Sequence, residues 1–151
     1  MPEEVILDTS VLIALSKIDL LPLLCKIYSK VVIPKSVKEE FGNLFIECSE
    51  IVTDKSKLHQ LLWDEIDLGK GESEAISIAF ATKKTLLLDD KKARKVANEM
   101  GVIISGTLGF LIKAEKRGFI ESAYQEAMKL KKCGFYISSA IVNQLKETKP
   151  D

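Results

Sequence analysis

The stretch TLLLDDKKARKVANEMGVII, residues 85–104, decides the fold. Residues 85–88 form a short apolar run of strand length, stopped by Asp89-Asp90. Residues 91–100 follow with helical spacing, Gly101 stands where the helix should end, and residues 102–104 read as a second strand. Working outward, the same alternation recurs. Residues 5–7 are a strand followed by Asp8-Thr9-Ser10 and an apolar helix over 11–18. Residues 30–33 (KVVI) are a strand ended by Pro34, with Ser36 placed to cap a helix over 37–41. The stretch 45–52 carries an edge strand, and 55–66 has helical spacing. Gly69-Lys70-Gly71 reads as a break before a largely buried helix over 72–81. Three helices close the chain, over 108–117, 120–132 and 139–147, with Gly118 and Gly134 at C-terminal caps. Strands alternating with helices predict an α/β fold, a parallel sheet covered on both faces.

The 151 residues are 46% hydrophobic, enough to pack a core, and they predict one domain over residues 1–151. No apolar run approaches the roughly 18–20 residues that cross a bilayer. The opening MPEEVILDTS is acidic and passes directly into a strand, unlike a signal peptide, so a cytoplasmic location is expected. The 22 basic and 22 acidic residues cancel, so no global charge excess marks a nucleic-acid binder. Arg94 and Arg117 are the only arginines. Cys25, Cys48 and Cys133 form neither a CxxC pair nor a disulfide framework by spacing, and buried or partly buried free thiols are expected. His59, in KLHQLL, is expected on a helix surface with no role.

Functional content enters through the acids. In open parallel sheets, ligands bind beyond the carboxyl ends of the strands. Asp8 ends the first strand and Asp89-Asp90 end the strand at 85–88, so two strands deliver carboxylates to one edge. Glu40, Glu72 and Glu74 sit on helices that follow. Such a group of carboxylates repels itself and raises its own proton affinity unless a cation neutralises it. With no His or Cys among them, the all-oxygen donors suit Mg²⁺ or Mn²⁺ rather than Zn²⁺. A single histidine and no nucleophile–base pair leave metal-activated water as the economical chemistry. Lys91, Lys92, Arg94 and Lys95, directly after the acids, lie where a phosphate backbone would need positive charge.

Five segments, VILDTSVLIAL (5–15), VVIPKSVKEEF (31–41), LGKGESEAISIA (68–79), LLLDDKKARKVANEMGV (86–102) and SGTLGFLIKAEKRGFI (105–120), resemble the PIN-domain family in this order. They look closest to the small prokaryotic branch with GE-x-E-AI and D-D-x-x-x-R motifs, and GFYISSAIVNQL (134–145) resembles its C-terminal helix. The resemblance implies a three-layer, Rossmann-like α/β/α sandwich with strand order 3-2-1-4-5. It also implies metal-dependent endoribonuclease activity with Mg²⁺ or Mn²⁺, often as the toxin of a toxin–antitoxin pair. Carried over, Asp8, Glu40, Glu74 and Asp89 are the catalytic acids, and Ser10 supports the first. Glu72 and Glu74 compete for the third position; two residues apart on a helix they point about 200° from each other, so one faces the metal. Glu74 is preferred, with Glu72 as the alternative, and Asp89 is preferred over Asp90 because it ends the strand directly. The metal set is therefore drawn from Asp8, Glu40, Glu72, Glu74, Asp89 and Asp90. Ser10, Lys91, Arg94 and Lys95 form the substrate-binding set.

The implied partners are RNA, an antitoxin protein and a second copy of the chain in a homodimer; no membrane is implied. Phosphatases of the haloacid-dehalogenase type want DxD after the first strand, and Asp8-Thr9-Ser10 lacks the second acid. Receiver domains pair their acids after the first strand, the reverse of this chain. The remaining alternative is a PIN fold that binds RNA or a protein partner without cutting.

Overall fold

The computed structural model describes residues 3–147. Five strands, β1 (Glu4–Leu7), β2 (Lys30–Pro34), β3 (Ser49–Val52), β4 (Thr85–Leu87) and β5 (Ile104–Ser105), form one sheet. All neighbouring pairs are parallel, in the order β3-β2-β1-β4-β5. The crossovers are helical: α1 (Thr9–Lys17), α2 (Leu24–Ile27), α3 (Lys35–Phe41), α4 (Lys57–Asp64), α5 (Lys70–Thr82) and α6 (Lys91–Glu99). After the last strand come α7 (Thr107–Lys116), α8 (Ala123–Lys132) and α9 (Ser139–Glu147).

Strand periodicity explains the three layers. Val5, Leu7, Val31, Ile33 and Leu87 point to one face and pack with Val11, Leu12 and Leu15 of α1, Phe110 and Leu111 of α7, and Leu130 of α8. Ile6, Val32, Leu86 and Leu88 point to the other and meet Leu62 of α4, Ala75 and Ile76 of α5, and Ala93 and Ala97 of α6. Alternate residues of a strand face opposite sides, so a sheet clad on both needs apolar side chains at every position. β1 lies at the centre, between β2 and β4, and its ladder runs on one residue: the Asp8 N–H donates to Leu87 O at 3.1 Å. That bond holds Asp8 beside the end of β4. Among the described residues, no helix is long and apolar enough to cross a membrane.

Several local expectations are corrected. α5 begins at Lys70, so the break is Gly69 alone and Gly71 is helical. α3 begins at Lys35 and Ser36 lies inside it; the Ser36 N–H is taken by Glu74 from α5, so the capping acceptor comes from another element. The last strand is Ile104–Ser105 rather than 102–104, because Val102 folds back with its N–H on Ala97 O at the end of α6. His59 is not on the surface: it is 8% exposed, its Nδ1 bound to Asp54 O. Cys25 and Cys48 are not free thiols but a disulfide, with Cα atoms 5.7 Å apart. Sheet pairing brings them together, since Val31 N–H donates to Cys48 O at the start of the β2–β3 ladder, a proximity that spacing along the chain does not reveal. Cys133 is a free thiol, as expected, but it is exposed rather than buried.

Candidate functional site

The ends of β1 and β4, the last turn of α3 and the first turn of α5 enclose a pocket of about 430 Å³. Asp8, Glu40, Glu72, Asp89 and Asp90 line it, with Thr9, Ser10 and Gly69 between them and Phe135 at its rim. Asp8 is 3% exposed. As the N-cap of α1 it accepts from Ser10 N–H at 3.2 Å and Ser10 Oγ at 2.9 Å, both on Oδ2. Burial pushes its carboxyl above the usual range, and the Glu40 charge adds to this while the Ser10 and Thr9 donors oppose it.

Glu40 is reached by two donors from different elements, Thr9 Oγ1 to Oε2 at 3.1 Å and Gly71 N–H to Oε1 at 3.0 Å. A Cβ on residue 71 would lie 2.5 Å from Glu40 Oε1 and 3.2 Å from Val37 Cγ2, so a side chain there would displace the glutamate. Glu72 accepts from Gly69 N–H at 3.1 Å. Its carboxyl is pushed up to about 7, first by burial, then by the charges of Asp8 and Asp90, with a hydrogen bond to Asp90. Asp90 caps α6, accepting from Ala93 N–H at 2.9 Å.

The fourth strand's two acids divide their duties. Asp89 lines the pocket, but both of its oxygens are held by Thr107 at the start of α7, from N–H at 2.9 Å and Oγ1 at 2.6 Å. The Asp89 N–H in turn donates to Ser10 Oγ at 3.3 Å, linking the β4 end to the β1 end. Arg94 donates to Leu88 O at 2.7 Å. Gly106 leaves room for both, since a Cβ there would meet Asp89 Oδ1 at 2.5 Å and Arg94 Nη1 at 2.8 Å.

Of the acids singled out in the sequence, Glu74 is the one the structure separates from the others. It is 1% exposed and accepts from Ser36 N–H and Asp54 N–H, each at 2.8 Å. The helical offset between Glu72 and Glu74 is as expected, but Glu72 takes the pocket side and Glu74 faces a seam between α3 and the β3–α4 connection. Lys91 and Lys95 are exposed on α6 and do not line the pocket; Arg94 lines an adjoining cavity with Asp89. The sequence reading missed Thr9, Gly71 and Thr107 as the positioners of Glu40 and Asp89. Their signal was present: Thr9 follows the first acid, Gly71 opens the GE-x-E-AI segment, and Thr107 belongs to the turn before α7.

Among the described residues, no three His, Cys, Asp or Glu side chains are arranged to hold a metal ion as they stand. The chemistry of the donors nonetheless fits a hard divalent cation. They are all oxygen, and they come from β1, α3, α5 and the β4–α6 junction. Asp8 and Glu72 hold protons more tightly than free carboxylates, first because burial desolvates them and then because of neighbouring charge, Glu40 on Asp8, and Asp8 and Asp90 on Glu72. A cation would relieve that repulsion.

An all-parallel sheet in the order 3-2-1-4-5, clad on both faces and carrying carboxylates on its C-terminal edge, is a Rossmann-like α/β architecture. The family model described as PIN domain matches residues 4–149, and the chain belongs to the PIN-domain family. Proteins of this family are generally nucleases that use divalent metals. No curated protein matches the chain.

Proposed function

We propose that this protein is a divalent-metal-dependent endoribonuclease that hydrolyses RNA phosphodiesters in the acidic pocket. One observation carries the reading: carboxylates from β1, α3, α5 and the β4–α6 junction are delivered to one cleft at the sheet edge where ligands bind in such folds. Asp8, Glu40, Glu72 and Asp90 are the residues that would hold Mg²⁺ or Mn²⁺, with Asp89 as their brace. A cation held there would lower the pKa of a water molecule and neutralise charge on the scissile phosphate. The chain's own part is positional. Ser10 fixes the rotamer of Asp8, Thr9 and the Gly71 N–H fix that of Glu40, and Thr107 ties the end of β4 to α7 so that Asp90 stays at the rim.

Purified protein should cut single-stranded RNA when Mn²⁺ or Mg²⁺ is added and stop in EDTA, and Asp8→Asn should not cut. Absence of metal-dependent cutting by the wild type would remove this reading. A role as the toxin of a toxin–antitoxin pair, held in check by a protein partner, belongs to the same proposal. It predicts growth arrest on expression that Asp8→Asn relieves.

A second reading, an RNA- or partner-binding module without catalysis, is favoured by one specific observation. Among the described residues, no three acids are arranged to hold an ion as they stand. RNA binding that survives in Mn²⁺ without product would select it.

A further inference from the structure

The helices that wall the acidic pocket also wall a second cleft, of about 450 Å³. The two meet at consecutive residues: Glu40 and Gly69 line the pocket, while Glu39 and Lys70 line the cleft. Trp63, the only tryptophan of the chain, stands in the cleft 41% exposed. Its ring lies against that of His59, centroids 6.2 Å apart, and Lys70 Nζ sits 5.2 Å from the indole centroid.

Three features of this cleft ask for a ligand. First, Lys35, Lys55 and Lys70 are exposed around it and none takes part in an ion pair among the described residues. Of the cleft's acids, Glu74 is buried and accepts from two N–H donors, Asp54 is partly exposed and accepts from Ser56 N–H at 2.7 Å, and Glu39 is exposed. Second, a large aromatic face is left half in solvent with a cation above it, held by an exposed cation–π contact that is easily exchanged. Third, His59 carries an unanswered atom. Its Nδ1 donates to Asp54 O at 2.6 Å, since a carbonyl only accepts, while Nε2 is buried with no hydrogen-bond partner. An unmet buried polar atom is costly and calls for a partner.

We propose that this cleft is a nucleotide subsite for single-stranded RNA, holding the segment of the strand that leaves the acidic pocket; the inference rests on the nuclease reading of that pocket. Lys70 leaves the indole for a phosphate, a base stacks on the face of Trp63 that it vacates, and Lys35 and Lys55 neutralise the neighbouring phosphates. Stacking on an aromatic side chain beside a basic track is the usual way to hold single strands without reading sequence. A ribose 2′-hydroxyl both donates and accepts, so it can satisfy His59 Nε2 once Trp63 shifts to admit the nucleotide, and this favours RNA over DNA. The subsite also places three lysines free of ion pairs among the described residues next to an acidic pocket that repels phosphate.

The lone tryptophan makes the test direct. Wild-type protein in EDTA, where nothing is cut, is titrated with an oligouridylate of about ten nucleotides and its fluorescence followed. Saturable quenching is expected. The variant Lys35→Ala/Lys55→Ala/Lys70→Ala should bind about tenfold more weakly, and its slope of log affinity against log salt should be shallower by about 2, three phosphates' worth for a single strand. With a fluorescently labelled oligouridylate, Trp63→Leu should bind about tenfold more weakly while Trp63→Phe, which keeps a ring, stays near wild type. Quenching absent where the labelled strand binds, or wild-type affinity in Trp63→Leu, overturns the subsite. Equal affinity for oligothymidylate overturns its assignment to RNA. The two readings fail separately. Mn²⁺-dependent cutting with an unchanged KM in Trp63→Leu would leave the nuclease and remove the subsite. Quenching that depends on Trp63 and the lysines, without any cutting, would leave the subsite and remove the nuclease.

Discussion

Glu72 and Glu74 stand two residues apart on α5, on opposite sides of one helix turn, in surroundings that ask different things of a carboxylate. Glu72 faces Asp8 and Asp90, and those charges together with burial push its carboxyl up to about 7. Glu74 is more deeply buried, yet it meets backbone N–H groups of Ser36 and Asp54 instead of other acids. A buried carboxylate is stable where donors surround it and strained where acids do. Depth of burial therefore does not by itself tell the two glutamates apart. The groups that surround each carboxylate do.

The largest test of the contrast is chemical. Asp8→Asn keeps an acceptor for the Ser10 donors and removes a charge from the pocket. Cleavage should fall by more than about 10³-fold, since several kcal/mol of transition-state stabilisation would go with it. Melting in EDTA should be unchanged or higher, because one repelling charge is gone. A clear drop in that melting temperature would make Asp8 a structural cap and break the comparison on the pocket side.

Next in size is the seam. Glu74→Ala strands two N–H groups that anchor α3 and the β3–α4 connection, a loss of about 3 kcal/mol. For a chain of this length, that lowers the melting temperature by roughly 6–12 °C. Any residual protein that is folded at the assay temperature should still cut. If Glu74→Ala melts like wild type but cannot cut, then Glu74 is a member of the site after all.

A smaller effect is expected at Gly71. Alanine in place of a helical glycine gains up to about 1 kcal/mol of backbone entropy. Against that, its Cβ would crowd Glu40 Oε1, the movable end of a side chain, and Val37 Cγ2. The two should nearly cancel, leaving the melting temperature within about 2 °C of wild type. Cleavage should drop about tenfold as Glu40 is pushed off its Thr9 and Gly71 donors, a positional loss of about 1.4 kcal/mol. Full activity in Gly71→Ala would show that the position of Glu40 does not matter to the reaction.

What was legible in the sequence follows from the same physics. Strands that are apolar at every position and end on Asp8 and Asp89-Asp90 could be read directly, and with them the parallel sheet, its order through the family resemblance, and the edge on which the acids gather. The choice between Glu72 and Glu74 could not, because it depends on whether distant groups, the Ser36 and Asp54 N–H, come to one side of α5. Ser36 was misread as a cap for the converse reason: its helix is capped by an acceptor 38 residues away. Cys25 and Cys48 meet only because β3 pairs with β2, and His59 is drawn inward by the carbonyl of Asp54. In each case local pattern is sound and the tertiary partner is what it lacks.

The smallest effect is the dependence of metal-free stability on pH, and it tests the Glu72 side of the contrast. Glu72 in the folded protein is pushed up from the ordinary 4.5 to about 7. Between those values the folded state binds a proton that the unfolded chain does not, so unfolding releases it and stability falls as pH rises. Below about pH 4.5 both states are protonated and the repulsion is absent; above about pH 7 both are ionised and it acts in full. Glu72 is only half-buried and solvent screens its partners, which discounts the effect to about 1 kcal/mol. In EDTA, the wild type should therefore melt roughly 2–4 °C lower at pH 8 than at pH 5 from this group alone. Asp8, shifted in the same direction, adds to the trend. Glu72→Gln, neutral throughout, should flatten the pH dependence and gain most at pH 8. Parallel curves for wild type and Glu72→Gln would mean that Glu72 feels no more repulsion than Glu74, and the contrast between the two would be gone.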